Sequence, residues 1–111
     1  MDNRERLIYC FDIDGTICTT EGSNYPEALP IRDRILLVNS LYDEGHAIIY
    51  FSARGTTTGI DHMDLTRSQL EAWGARYTSL YLGKPRADVY VDDRAVADAD
   101  FFNDDLGPQH R

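Results

Sequence analysis

Short apolar runs recur along this chain, and their spacing predicts four β-strands. The runs cover residues 7–11, 47–51, 77–82 and 87–91, and turn-forming residues bound each of them, which is typical of strands. The second run shows no alternation of apolar and polar positions, so we expect its strand to be buried on both faces of a parallel sheet. The third run mixes Thr and Ser with apolar residues and is predicted at an edge.

The segments between these strands are predicted to form helices. Apolar residues recur at helical spacing over residues 31–44, with Pro30 before the stretch and Gly45 after it, which predicts a helix with Pro30 in its first turn. A second helix is predicted to start at Asp61, whose side chain would cap it, to run through Trp73 and to stop at Gly74. Residues 94–102 favour a short third helix.

The order of these elements predicts an α/β fold. It is a small Rossmann-like, mostly parallel sheet flanked by helices, because parallel strands need helical connections. At 111 residues, the chain is expected to form one domain over residues 1–111. The polar residues 18–29 are predicted to be a loop, and residues 103–111 a flexible tail.

Composition narrows the classes of partner. Acidic residues outnumber basic ones by 19 to 11, which gives a net charge of −8, and such a surface disfavours nucleic acid. No run reaches the length of a membrane span, and no apolar signal region follows the charged N-terminus; a cytoplasmic protein without membrane contact is expected. Cys10 is expected in the core, and two cysteines do not suggest a disulfide framework.

The first strand ends in two carboxylates, and this is the main chemical signal. Asp12 and Asp14 follow the apolar run directly, and Gly15 then allows a sharp turn. Unpaired buried carboxylates are costly, and ligands bind at the carboxyl ends of strands in open α/β sheets. These residues predict a divalent-cation site in which one carboxylate acts as a nucleophile.

Further polar residues follow the other predicted strands. Ser52 ends the second run, Lys84 follows the third, and Asp92-Asp93 ends the fourth. Asp-Ile-Asp-Gly-Thr together with these three, in this order, resembles the four motifs of the haloacid dehalogenase (HAD) superfamily over roughly residues 7–95.

The resemblance implies a role for each motif position. Asp12 would be the nucleophile and Asp14 the general acid and base, with Thr16 in support. Asp12, the Asp14 carbonyl and Asp92 would bind Mg²⁺, with Asp93 behind them. The groups implied to hold phosphate are Ser52, the Ala53 amide and Lys84, with Arg54 as a further substrate contact.

Two features differ from the usual family pattern. Only residues 85–88 separate Lys84 from the fourth strand, where family members usually carry a helix, so either Lys84 or Arg86 is expected in the third-motif role. Neither insert, after Thr16 or after Ser52, is long enough for a cap domain. A capless site is open to a bulky substrate or to a neighbouring subunit acting as a lid, so a homo-oligomer is one expectation.

The resemblance therefore implies a Mg²⁺-dependent phosphatase acting on a small phosphorylated metabolite, such as a sugar phosphate of surface-polysaccharide synthesis. One alternative is a polynucleotide-end or nucleotide phosphatase. A second is a phospho-acceptor module like a response-regulator receiver. A third is a subunit that needs a partner for catalysis.

Overall fold

A computed structural model of the chain describes residues 5–103. In chain order its elements are β1 (Ile8–Asp12), β2 (Cys18–Thr19), a short 3₁₀ helix (Tyr25–Glu27), β3 (Leu29–Pro30), α1 (Arg32–Asp43), β4 (Ala47–Ser52), α2 (Met63–Ala72), β5 (Ser79–Leu82) and α3 (Asp98–Phe102).

The main sheet is small and parallel, with β4 between β1 and β5. Helix α1 connects β1 to β4, and α2 connects β4 to β5, as parallel neighbours require. Asp12 pairs with Phe51 and Ser52 pairs with Leu82, so all three strands end at the same edge. The predicted α/β class, the parallel sheet flanked by helices and the edge position of the third strand are confirmed.

Helix α1 buries one stripe against the sheet. Ile35 and Val38 are fully buried beside Ile48 of β4 in the same apolar cluster. Buried Asn39 donates to the Gly74 carbonyl at 2.9 Å and accepts from the Arg76 amide at 2.8 Å. These bonds satisfy a buried amide and fix α1 to the turn that leads into β5.

Helix α2 ends at the only tryptophan of the chain. Trp73 is buried in the core with Leu70, and its carbonyl accepts a 2.6 Å hydrogen bond from Arg32 on α1. The helix begins at Met63. Asp61, predicted as its capping residue, lies two positions before it and accepts a hydrogen bond from the Met63 amide at 2.9 Å.

The region predicted as a loop, residues 18–29, carries regular structure. Strands β2 and β3 form an antiparallel pair with Cys18 opposite Pro30, and the 3₁₀ helix lies between them. Pro30 therefore ends a strand instead of starting a helix. The prediction was wrong here because two-residue strands leave no readable alternation of apolar positions.

The predicted fourth strand, residues 87–91, does not form. Parallel neighbours need a connection of about a dozen residues or more, and only residues 83–86 follow β5. Tyr90 turns back, donating to the Pro85 carbonyl at 2.5 Å and accepting from the Ala87 amide at 3.1 Å. Val89 and Val91 are 74% and 93% exposed.

Strand β1 is covered on one face only. Phe11 is buried against Phe101 and Phe102, whereas Ile8 and Cys10 on the opposite face are exposed. The placement of Cys10 in the core was therefore wrong, because a continuous apolar run does not reveal which side neighbours will cover. In β4, Ile48, Tyr50 and Ser52 are fully buried, while the residues between them are only half-buried. The expected burial on both faces is therefore complete on one face only.

Helix α3 closes the covered face and is shorter than predicted. It contributes Phe102, whose ring lies 4.7 Å from the Arg34 guanidinium carbon, and Asp98, which pairs with Arg34 at 2.7 Å. The predicted tail, apart from Asn103, lies outside the described residues. Of the helices in residues 5–103, none has the length and apolar character to cross a bilayer.

Candidate functional site

The strand ends bring Asp12, Ser52 and Lys84 together. The Ser52 carbonyl accepts hydrogen bonds from the amides of Gly83 and Lys84 at 3.0 and 3.1 Å. These bonds attach the loop after β5 to the end of β4, and they place the Lys84 ammonium 3.4 Å from Asp12 Oδ1. Three residues that are far apart in sequence thus meet at the carboxyl edge of the sheet.

The Asp12 carboxylate is partly buried and faces a cation. Its side chain is 32% exposed and that of Lys84 13%. Burial raises the pKa of Asp12 above its usual range, and the charge of Lys84 opposes this effect. The Lys84 ammonium also lies 4.7 Å from the Phe51 ring centroid and 4.3 Å from that of Tyr90, so aromatic faces hold the cation beside Asp12.

Asp14 is bound by a buried arginine. Arg54 Nε donates to Oδ2 and Nη2 donates to Oδ1, both at 2.9 Å, and the Thr20 hydroxyl donates to Oδ1 at 2.5 Å. Burial raises the pKa of Asp14, but the hydrogen bonds from Arg54 and Thr20 outweigh it and hold the pKa below its usual range. Asp14 is therefore a carboxylate at neutral pH, with both oxygens engaged.

The Arg54 side chain is completely buried and links the acid pair to α2. Its Nη1 donates to Thr66 at 3.0 Å and to Gln69 at 2.6 Å. Its guanidinium carbon lies 4.7 Å from the Tyr25 ring centroid. A buried guanidinium needs this number of partners to offset its lost hydration, so Arg54 is a structural centre of the site.

Ser52 and Ala53 form the turn beside Asp12. The buried Ser52 hydroxyl accepts from the Arg54 amide at 3.0 Å, which leaves its own proton for a ligand. Ala53 lies on the wall of a cavity. Thr16 is held through its backbone: its amide donates to the Ile13 carbonyl at 3.0 Å, and its carbonyl accepts from Arg34 at 3.0 Å.

Asp92 and Asp93 are not brought to this site. Both are exposed in the irregular segment after Tyr90, and Asp92 accepts a hydrogen bond from the Arg94 amide at 2.8 Å. Their predicted place beside Asp12 depended on the fourth strand, which does not form. Within residues 5–103, no three His, Cys, Asp or Glu side chains form a cluster that could hold a metal ion.

The donors that remain at the strand ends still suit magnesium chemically. Mg²⁺ prefers oxygen, and it is commonly held by one or two carboxylates together with water and substrate phosphate. Asp12 supplies a partly exposed carboxylate, and Asp14 supplies a main-chain carbonyl. We therefore take Asp12 and the Asp14 carbonyl as the residues that would hold the ion.

A cavity of about 170 Å³ opens next to the Ser52–Arg54 turn. Tyr25, His62 and Arg86 line it together with Ala53. The Tyr25 and His62 rings meet edge to face with centroids 5.0 Å apart, and the Tyr25 carbonyl accepts from Gln69 at 2.6 Å. Lys84 therefore contacts Asp12, while Arg86 belongs to this cavity.

Sequence reasoning missed the partners of Asp14 and of Arg54. Arg54 was expected to be a substrate contact, and Thr20 and Gln69 were not expected at the site at all. Arg54 follows a buried strand end by two residues, a position where a charged side chain needs an acidic partner. That signal pointed to an ion pair, but Thr20 and Gln69 are ordinary polar residues without a motif.

No protein-family model and no curated protein matches the sequence. Among solved structures, the chain is similar to a crystal structure of a structural target from Vibrio cholerae, which bears no functional name. The identity is 26%, the match covers 86% of each chain, and the TM-score is 0.78. The likeness supports the small α/β fold.

Proposed function

We propose that the protein is a capless phosphohydrolase of the HAD type that uses Mg²⁺ and hydrolyses the phosphate ester of a small metabolite through an aspartyl-phosphate. The observation that carries the proposal is the 3.4 Å pair of Asp12 and Lys84 at the edge of a parallel sheet, beside the free proton of Ser52. A nucleophilic carboxylate, a cation and a hydroxyl donor are the groups that phosphoryl transfer requires.

In the first half-reaction an Asp12 oxygen attacks phosphorus, and the bond from phosphorus to the ester oxygen breaks. Lys84 and the Ser52 hydroxyl hold the phosphoryl oxygens, where negative charge must be offset. Bound Mg²⁺ supplies further positive charge for the same purpose. The departing alkoxide takes up a proton and leaves as the alcohol.

In the second half-reaction water attacks the phosphorus of the acyl phosphate, releasing inorganic phosphate and regenerating the Asp12 carboxylate. Asp14 is ionised in this arrangement, so it accepts the proton of that water as general base. To protonate the leaving oxygen in the first half-reaction, Asp14 must carry a proton, taken from solvent or kept from the preceding turnover, and must exchange its contact with Arg54 or Thr20. A good leaving group, such as an aryl oxide, does not need that proton.

The test is release of 4-nitrophenol from 4-nitrophenyl phosphate with MgCl₂. We expect turnover by the wild type and a loss to below about a thousandth in Asp12→Asn, because the nucleophile is gone. Asp64→Asn is the matched control, since that fully exposed carboxylate on α2 loses the same charge away from the site. Equal rates in the two variants would overturn the proposal.

Asp14→Asn separates the enzyme from the receiver-like alternative. In this variant the aryl group should leave once per protein, and the acyl phosphate should then accumulate, seen as a burst followed by slow turnover. A wild type that itself keeps one phosphoryl group without turnover would instead favour a phospho-acceptor module.

A further inference from the structure

The cavity beside the Ser52–Arg54 turn differs from the rest of this acidic protein. The chain has a net charge of −8, yet no acidic side chain of residues 5–103 lines this cavity. Its polar lining residues carry hydroxyl groups, an imidazole and a guanidinium, and they are Ser23, Tyr25, Thr57, Thr58, His62 and Arg86. These groups suit a ligand that is hydroxylated and negatively charged.

Arg86 is the one permanent cation in that lining, and it is not committed to a partner. Within residues 5–103 no ion pair, hydrogen bond or ring contact engages its side chain. The other arginine at this turn, Arg54, is fully used by Asp14, Thr66 and Gln69. A free guanidinium next to hydroxyl groups is suited to a carboxylate or phosphate, which it can bind through two hydrogen bonds.

The cavity is also adjacent along the chain to the residues proposed to hold the reacting phosphate. Arg86 follows Lys84 by two residues, so their Cα atoms lie within about 7 Å of each other. Ala53, on the cavity wall, directly follows Ser52. A volume of about 170 Å³ is below the range of about 300–1,000 Å³ for drug-sized ligands, so the occupant is small.

We infer that this cavity holds the leaving group of the substrate, and that Arg86 selects a leaving group with a second negative charge. The inference rests on the proposed function and names its substrate class: phosphate esters of a small polyol that carries a carboxylate or a second phosphate. Arg86 is then a specificity-determining residue, while Lys84 faces the transferred phosphoryl group.

Matched substrates test this inference. 6-Phosphogluconate and glucitol 6-phosphate differ only in a terminal carboxylate against a hydroxymethyl group, and fructose 1,6-bisphosphate against fructose 6-phosphate gives the same contrast for phosphate. We expect the wild type to favour the doubly anionic member of at least one pair by tenfold or more in kcat/KM. The pair that shows the preference identifies the anionic group.

Arg86→Gln should remove that preference. Because a hydrogen bond to a charged group is worth about 1.5–3 kcal/mol, kcat/KM for the favoured ester should fall by about ten- to a hundredfold, mainly through KM. The fall should be larger for the doubly anionic ester of a pair than for its partner with one anionic group. Arg67→Gln, an exposed arginine on α2, controls for the change in net charge and should leave the preference intact.

The outcomes separate this inference from the function itself. If 4-nitrophenyl phosphate is hydrolysed but Arg86→Gln leaves the ratio between matched esters unchanged, the leaving-group site is wrong and the phosphatase stands. Equal kcat/KM values of the wild type for the two members of each pair would also overturn the inference. If no ester is hydrolysed by the wild type, the proposed function fails first.

Discussion

Asp12 and Asp14 are two residues apart, but their surroundings drive their protonation in opposite directions. The pKa of Asp12 is raised because the effect of burial is larger than the opposing effect of the Lys84 charge. Asp14 has a lowered pKa because Arg54 and Thr20 bind its ionised form, although burial opposes them. The surroundings of the two carboxylates thus divide them, because they favour the ionised form of Asp14 and oppose that of Asp12.

The pH dependence of stability should reveal this division. A carboxylate with a lowered folded-state pKa stabilises the fold above its unfolded pKa, which is 3.8 for Asp14, and this contribution disappears as the pH falls through the lower, folded value. The free energy of unfolding of the wild type should therefore drop below about pH 4 more steeply than that of Asp14→Asn. Urea unfolding between pH 7 and pH 2 measures both curves.

Asp12→Asn serves as the opposite control. A raised folded-state pKa contributes stability below the unfolded pKa and loses it as the pH rises through the folded value. Removing Asp12 should therefore increase the relative stability at neutral pH, with little effect at the acidic end. Parallel curves for all three proteins would contradict the described surroundings of the two acids.

At the residue scale, part of the candidate site could be predicted from the sequence. Asp12, Asp14, Ser52 and Lys84 were found because each polar residue follows an apolar run, and the topology of a parallel sheet then brings strand ends together. The partners of Asp14, Arg54 and Thr20, could not be predicted because both lie in irregular segments, where hydrogen bonds leave no periodic signal. Asp92 was placed at the site by a strand that the chain does not form.

At the scale of elements, the loop between β4 and α2 depends on a single glycine. Gly55 has a φ of +82°, and a Cβ at this position would lie 2.0 Å from the Ile60 carbonyl oxygen. The Gly59 amide donates to the Gly55 carbonyl at 2.8 Å, closing the turn. Gly55 also lines the cavity with Arg86, so this turn shapes the cavity that we propose for the leaving group.

Gly55→Ala should destabilise the protein by more than about 2 kcal/mol, because backbone must move to admit the methyl group. Gly59→Ala is a matched control in the same loop: φ is +79° and a Cβ would have nothing within 4 Å. It should cost only about 1 kcal/mol for the left-handed conformation. Chemical denaturation of both variants provides the comparison, and equal losses would be contrary to the expected crowding.

Elements with a strong signal were predictable, and elements that depend on pairing were not. Helix α1 and strand β4 were placed within one or two residues because periodicity and flanking glycine agree there. The hairpin of β2 and β3 and the absence of a strand at residues 87–91 depend on which backbone groups find partners. In the second case the segment after β5 is too short for a parallel connection, and the Tyr90 hydroxyl bonds back to Pro85 and Ala87.

For the whole molecule, the proposed Mg²⁺ site predicts a measurable effect of the ion on stability. An ion that binds only the folded state stabilises it by about 1.4 kcal/mol at ten times its Kd. For a domain of this size, the proposed site predicts a rise in Tm of several degrees. Asp12→Asn should lose this rise, whereas Asp64→Asn should keep it.

Thermal melts in MgCl₂ and in NaCl of equal ionic strength distinguish a specific site from general screening. Screening of the −8 charge should stabilise the wild type and both variants alike in either salt. If MgCl₂ raises the Tm of Asp12→Asn as much as that of the wild type, the ion acts elsewhere on the surface.

The position of Trp73 has a practical consequence. Because the indole is 8% exposed, and because its carbonyl is bonded to α1 at the end of α2, loss of the packing between the two helices must expose it to water. Its intrinsic fluorescence should therefore shift to longer wavelength on unfolding. One optical signal, with no label added, can follow every denaturation curve described above.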